Sequence, residues 1–494
     1  MTNRIFIPLV FVTGSLLAQV SYDRLLHADR EPQNWLTYSG GYTSQRYSPL
    51  TQINRGNVKN LQMKWVYHPA YEKTSHNQSK MENTPLVVDG VVYTGTALEV
   101  VALDAVTGRQ FWKLSRPLDS TAYYNAYDIR TGKELWRFDT SPTSAEDPVA
   151  KTWSGDAWKH GGSPVWNSGS YDPETNLTFW GTGNPNPGWS GDVRAPGDNL
   201  YSESVVALDA DTGKLKWHFQ FTPGDEYDWD CTQVPVLADI NWQGKPRKVM
   251  LWANRNGFFY VLDRTTGEFL LGKPFIKETW ATGLDKNGRP IKDPAFWPKP
   301  EGGIAVMPGS QGGTNWYPPS FSPQTGLFYL SVWDNYKALS GKGDPGPWAQ
   351  GQRYVGNGSP VPCVQDGHVV PGSCGGPAGV RRAAAAMRAS PNYKTEAEGY
   401  GAIRAIDPET GEKKWDFKMV NNTESGVLST AGGLVFGGGM DGDFIALDAK
   451  TGEPLWHVYL GGPNASGPIS YAVNGKQYII GTGEGTMYSF ALPD

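Results

Sequence analysis

The chain has 494 residues, a net charge of −5, 60 glycines, 37 prolines and 13% aromatic residues. Lacking a clustered run of Lys or Arg, it offers no electrostatic footprint for nucleic acid. It also has no long apolar stretch of 3.6-residue period, which argues against a helical domain, and the glycines, prolines and aromatics suit short strands and tight turns, so the expectation is an all-β protein.

The first feature in chain order is Arg4 followed by the apolar run 5–18, broken by Pro8 and Gly14. This reads as a secretory signal over 1–18, too short and too weakly flanked for a spanning helix. It predicts an exported, periplasmic protein whose remaining 19–494 form a single domain with no integral membrane segment. An eleven-residue phrase then recurs: ALDAVTGRQFW ends at Trp112, AYDIRTGKELW at Trp136, ALDADTGKLKW at Trp217, AIDPETGEKKW at Trp415 and ALDAKTGEPLW at Trp456. Each copy reads as a strand, a Thr-Gly turn and a second strand, with Gly108, Gly132, Gly213, Gly411 and Gly452 at a positive-φ position.

Weaker copies surround Asp172, Asp263 and Pro323, which makes eight turn-bearing units. Asp448 follows Asp407 by 41 residues and Asp172 follows Asp128 by 44, the period of a four-stranded propeller blade of roughly 40–45 residues. The repeated tryptophans are read as groups that pack one sheet against the next. One interval fails: Asp128 follows Asp104 by only 24 residues. The break falls near Ser120 and Thr121, and the shortfall is on the order of one and a half blades, roughly 60–90 residues.

Between the repeats lie stretches that a bare scaffold does not need: TWSGDAWKHGGSPVW (152–166), WGTGNPNPGWSGDVRAPGDNLY (180–201), TPGDEYDWD (222–230) and ANRNGFFYVLDR (253–264). Asp228 and Asp230 are spaced i, i+2, so on an extended segment both carboxylates point to one face. Two such anions repel unless a cation or donors intervene. A hard cation with oxygen ligands answers that need, with Asn184 lending an amide oxygen. On spacing alone, a solvated acidic turn is the simpler reading.

These segments, together with the D-x-x-TG-x-x-x-W phrase, resemble the quinoprotein alcohol dehydrogenases, exported eight-bladed propellers that bind pyrroloquinoline quinone (PQQ) and a metal ion. The resemblance runs from RYSPLTQINRGNVKNLQMKW (46–65) to GKQYIIGTGEG (475–485). It implies that Trp166 stacks on the quinone, that Arg255 bonds the quinone oxygens and that Glu82 stands at the cofactor's edge. Asn184, Asp228 and Asp230 are implied as metal ligands, with Asp228 also the catalytic base. Asp230 occupies the place where lanthanide-dependent members carry an extra aspartate, so the cofactors expected are PQQ with Ca2+ or a lanthanide, the lean being toward the lanthanide.

The implied reaction is oxidation of a small primary alcohol to an aldehyde by hydride transfer to metal-bound PQQ. No C-x-x-C-H haem motif occurs, so a separate electron acceptor such as a soluble cytochrome c is the expected partner. The stretch lost at Ser120/Thr121 carries, in the family, an adjacent-cysteine disulfide, a second arginine and a glutamate of the metal shell, and none has a counterpart here. Two alternatives stand beside this reading: a non-catalytic propeller scaffold of the cell envelope, and a sugar-oxidising quinoprotein.

Three features remain unassigned. Trp333 falls where the family lines its pocket, and His160 reads either as a satisfied polar residue near the cofactor or as a strand-end histidine; neither is given a catalytic role. The insertion 337–398 breaks the blade rhythm, is placed over the pocket mouth, and contains a short helix expected at 380–388. Cys363 and Cys374 are eleven residues apart and form a candidate disulfide, leaving Cys231 unpaired.

Overall fold

The computed structural model describes residues 20–69, 81–96, 99–115, 126–127, 133–298, 304–340, 344–349, 354, 362–365, 368–373, 399–419 and 421–494. The signal segment, Gly132, the Ser120/Thr121 junction, Cys374 and the helix expected at 380–388 lie outside them. Among the described residues the elements are almost all strands, with one short α-helix at Tyr22–Leu26. No described helix is long and apolar enough to cross a membrane.

The strands form consecutive sheets of four antiparallel strands, mostly from neighbouring pieces of chain, with Tyr47–Ser48 added in parallel to the Leu428–Thr430 edge of one sheet. Sheet I comprises Leu86–Val88, Val91–Gly95, Glu99–Asp104 and Gln110–Ser115. Sheet II comprises Ser170–Asp172, Leu177–Gly181, Ser204–Asp209 and Leu215–Gln220, and sheet III Val236–Trp242, Lys245–Ala253, Phe258–Asp263 and Phe269–Pro274. Sheet IV comprises Ser320–Ser322, Leu327–Asp334, Tyr400–Ile406 and Lys413–Met419, and sheet V Leu428–Thr430, Leu434–Gly438, Asp443–Asp448 and Pro454–Tyr459. Sheet VI takes Ile469–Val473, Lys476–Gly483 and Thr486–Ala491 from the chain's end and its outer strand, Gln62–Tyr67, from the start, which ties the two ends of the propeller together.

The repeat phrase forms the turn between the third and fourth strands. In each copy whose turn is described, an Asp side chain accepts from the turn's backbone, as Asp104 does from Val106 and Thr107 (3.0 and 2.8 Å) and Asp448 from Lys450 and Thr451 (2.8 and 3.0 Å). Gly108, Gly213, Gly411 and Gly452 have φ of 70°, 68°, 69° and 74°, as expected of the turn. The turns at Asp172 and Pro323 are different: they join the first and second strands of sheets II and IV, which the phrases at Asp209 and Asp407 already close. The same Asp-Thr hydrogen bonding, Thr175 to Asp172 at 2.9 Å, made them look like separate repeats.

Tryptophan packing runs from sheet to sheet. The Trp65 indole lies on Gly108, where a Cβ would come within 2.8 Å of the ring, and its N–H donates to Ala105 at 3.1 Å. Trp136 covers Gly213 and Trp415 covers Gly452 in the same way, with N–H bonds to Ala210 (2.9 Å) and Ala449 (3.2 Å), and Trp217 covers Gly267. Trp112 is the exception at 47% exposed against 6% for Trp65, and its whole strand Gln110–Ser115 is exposed. Trp65→Ala is therefore expected to cost about 3–5 kcal/mol, whereas Trp112→Ala stays within about 1 kcal/mol. Equal shifts of the two variants in urea melts would contradict this packing scheme.

Residues 33–48 bond to the first strand of each of the six sheets in turn, in the order VI, I, II, III, IV, V. Gln33 accepts from Ala472 of sheet VI, Trp35 pairs with Val87 of sheet I, Tyr42 accepts from Tyr171 of sheet II, Thr43 from Leu237 of sheet III, Gln45 from Phe321 of sheet IV and Arg46 from Ser429 of sheet V. The long step, Trp35 to Tyr42, spans the interval between sheets I and II. Only a two-stranded hairpin, Ala126–Tyr127 with Glu134–Trp136, is described there. The second strands of sheets I and II are each buried on one side only, whereas Val249–Ala253 and Leu434–Gly438 are buried on both. The chain's short interval thus appears in the structure as uncovered sheet faces.

Candidate active site

The segments flagged between repeats converge beside sheets II and III. Asp230 is their meeting point. Its Oδ1 accepts from the Asn184 backbone N–H at 2.6 Å, and its Oδ2 accepts from Arg255 Nη1 and the Trp166 indole N–H, both at 3.2 Å. Asn184 enters because Gly162 bridges Pro185, Ser163 donates to the Asn184 carbonyl at 2.8 Å, and Gly183 donates to Pro164 at 2.8 Å. Gly183 is required by closeness: a Cβ there would lie 2.4 Å from Asp230 Oδ1. Arg255 leaves the end of sheet III and is fixed by donating to the Ser310 carbonyl.

Asp228 sits half-buried at φ 65°, in the left-handed region. The segment is not extended, so the same-face rule for alternate residues does not apply to Asp228 and Asp230. What holds it is Asp225, which the sequence reading did not single out. This fully buried carboxylate accepts from the N–H groups of Tyr227 (3.1 Å), Asp228 (2.8 Å) and Trp229 (3.2 Å). The rings on either side of Asp228 are buried and stack on each other, centroids 4.2 Å apart, and the Trp229 indole donates to Gly309 at 2.9 Å. An Asp accepting from residues two and three ahead is the same device as in the repeat turns, and that was the signal available in DEYDWD.

Behind this loop lies a charged layer. Arg194, fully buried, donates to the carbonyls of Pro187 (3.0 Å), Gly188 (2.9 Å) and Asp225 and to Asn199 Oδ1 (2.7 Å). Burial pushes the Glu203 carboxyl well above the usual carboxylate range, and the charges of Asp225 and Asp230 add to it. Cys231, a buried free thiol, donates to Glu203 at 3.0 Å and accepts from Asn254 at 3.0 Å. Lys292 donates to the Pro223 and Gly224 carbonyls at 2.6 and 3.1 Å, and burial pulls its pKa down to about 8 from 10.5. The folded chain therefore releases this proton before the unfolded chain does, so stability rises with pH between about 8 and 10.5 and the cost is fully present below 8. Lys292→Met is expected to flatten the rise in urea midpoint between pH 8 and 10; an unchanged slope would assign the rise elsewhere.

The other expected site residues are placed as follows. Glu82 stands on a separate segment, exposed and within electrostatic reach of the half-buried Tyr38, next to Asn83, whose carbonyl accepts from Ser466 at 2.7 Å. Trp333 donates its indole N–H to Thr423 at 2.6 Å. His160 stacks on Trp348 with centroids 5.2 Å apart and meets Tyr354 edge-on at 5.3 Å. Among the described residues, no three His, Cys, Asp or Glu side chains cluster as a metal site; the set read from the sequence has two carboxylates and an amide.

The sequence matches the family model described as "PQQ: Glucose/ethanol/alcohol dehydrogenase, beta-propeller domain" over residues 35–125, 116–279 and 419–479. It is 35% identical to a quinohemoprotein alcohol dehydrogenase of Comamonas testosteroni, over 94% of this chain and 74% of that protein. It is 32% identical to the quinoprotein alcohol dehydrogenase PedH of Pseudomonas putida, over 95% and 89%. The chain belongs to the PQQ-dependent alcohol dehydrogenases. A solved europium-containing methanol dehydrogenase superposes on this quinoprotein with a TM-score of 0.75 at 27% identity, covering 95% of this chain and all of that one. The first of these alignments runs over 561 positions, more than the chain's own length, so that relative carries residues absent here. The first two family matches overlap at 116–125, the stretch where the repeat interval is short.

The residues of this quinoprotein fit a cation and an oxygen-rich planar group. Asn184 commits its amide NH2 to the Pro185 carbonyl at 3.2 Å, which leaves its side-chain Oδ1 as the oxygen it could offer a cation, while its backbone N–H bonds Asp230. Arg255 Nε is buried without a partner, a donor that an acceptor oxygen of the bound group would satisfy. The Trp166 ring is 38% exposed, so an apolar face stays open beside that donor.

Proposed function

We propose that the chain oxidises a primary alcohol to its aldehyde with PQQ and a Ca2+ or lanthanide ion bound at Asp230. The observation that carries this is the convergence of Trp166, Asn184 and Arg255 on Asp230, with Arg255 Nε buried and unpartnered. Bound PQQ supplies the two-electron oxidant, and the ion beside it the Lewis acidity. Asn184 Oδ1, Asp228 and Asp230 would hold the cation, two carboxylates answering its charge. The Trp166 face carries the flat group, and Arg255 donates to its oxygens. Asp228 would take the hydroxyl proton of the alcohol, whose carbinol hydrogen and electron pair would pass to the bound quinone.

In this reading the protein is exported to the periplasm, and its electrons pass to a separate acceptor such as a soluble cytochrome c. The lanthanide is favoured over calcium because Asp230 adds a second carboxylate to the cation set. Dye-linked oxidation of ethanol by the purified chain, given PQQ with either calcium or lanthanum, tests the proposal. Turnover that requires both PQQ and a cation, and that Asp228→Asn lowers by at least about 100-fold, is the expected result. Folded protein without turnover in either metal would contradict it.

A further inference from the structure

Between the two-stranded hairpin and sheet II lies a cavity of about 540 Å³, within the range of small-molecule pockets. It exists because the hairpin covers sheet II only in part: Trp136 docks on Gly213, yet Thr178 and Trp180 on the second strand remain half-buried. Trp136, Phe138, Trp180 and Tyr42 wall it, and Val206 and Leu208 form its apolar floor. One end is polar. The Tyr22 and Tyr171 hydroxyls lie 3.4 Å apart, Tyr171 donates to Asn176 Oδ1 at 3.0 Å, and Asn176 Nδ2 donates to Asp211 at 2.8 Å.

We infer that this cavity binds a neutral, fused-ring aromatic molecule carrying one hydroxyl or N–H group. Ring faces and edges on several sides favour a flat aromatic guest. A dry cavity of about 150 Å³ holds a single benzene ring, so this larger space has room for a fused-ring system. The Asp211 carboxylate at the polar end accepts from a hydroxyl or N–H and repels an anion. No charged or metal-ligating group of the active site takes part, so binding is independent of PQQ.

The test is equilibrium dialysis of 2-naphthol against the purified full chain, repeated with PQQ and lanthanum in excess. Saturable binding to one site with a Kd below about 1 mM, undisturbed by PQQ, is expected. Thr178→Trp, which fills the cavity, should weaken it by at least about 10-fold, and Tyr171→Phe by about 3- to 10-fold. Should Thr178→Trp fail to fold, Tyr171→Phe decides. Absence of saturable binding, displacement by PQQ, equal affinity in the variants, or equal or tighter binding of 2-naphthoate would each overturn the inference.

Discussion

Asp225→Ala is expected to lower the unfolding free energy by about 3–5 kcal/mol and to remove alcohol oxidation altogether. The stability loss follows from its position. Three backbone N–H groups, those of Tyr227, Asp228 and Trp229, would lose their only described side-chain acceptor inside the protein, at about 1–3 kcal/mol for each group left unsatisfied. Part of that is recovered by relaxation, which sets the estimate nearer the cost of breaking a buried charged contact. The loss of activity follows from φ at Asp228. A non-glycine residue held at 65° needs its surroundings to keep it there, and Asp225 is the side chain that grips its N–H. Asp225→Asn retains one acceptor oxygen and should recover part of the stability while turnover stays depressed. Urea melts and dye-linked oxidation on the two variants check this; an Asp225→Ala protein with parental stability would refute the role of the carboxylate.

Asp230→Ala has a second large effect, and for a different reason. Arg255 and the Asn184 N–H both point at that carboxylate, and Arg255 has a side chain only 6% exposed. Removing the anion leaves a buried guanidinium with one carbonyl partner, at Ser310, for a loss of about 3 kcal/mol. Asp230→Asn keeps the shape and an acceptor while removing the charge. It is expected to fold, yet to bind lanthanum at least about 100-fold more weakly than the parent, because a hard trivalent ion depends on anionic oxygen. Isothermal titration of lanthanum in the presence of PQQ reads this directly, and parental affinity in Asp230→Asn would remove Asp230 from the cation set.

The propeller was legible because its information is local and repeated. An Asp, a Thr-Gly and a Trp at fixed offsets specify a turn and the ring that covers the neighbouring turn, and Trp65 on Gly108 shows that device carried between sheets. Less legible was which turns belong to one sheet, since Asp172 and Asp209 share turn chemistry and lie at the same end of sheet II, one joining its first and second strands and the other its third and fourth. The site was legible as residue types in a family order, Trp166, Asn184, Asp230 and Arg255. Its supports were less so: Arg194 and Gly183 act through burial and backbone contacts that leave no periodicity, and Asp225 left only the Asp-turn pattern of DEYDWD. The short interval at Asp104–Asp128 was visible as arithmetic, and the exposed Trp112 strand and the half-buried second strands of sheets I and II are its physical expression.

The central claim is that the remaining site still holds its cofactor. Titration of PQQ into the purified chain, with lanthanum or calcium present and followed by quinone absorbance and tryptophan quenching, tests it most directly. Saturation at one PQQ per chain is expected, dependent on the cation, with quenching reduced in Trp166→Phe. Folded protein that takes up no PQQ with either cation would contradict it.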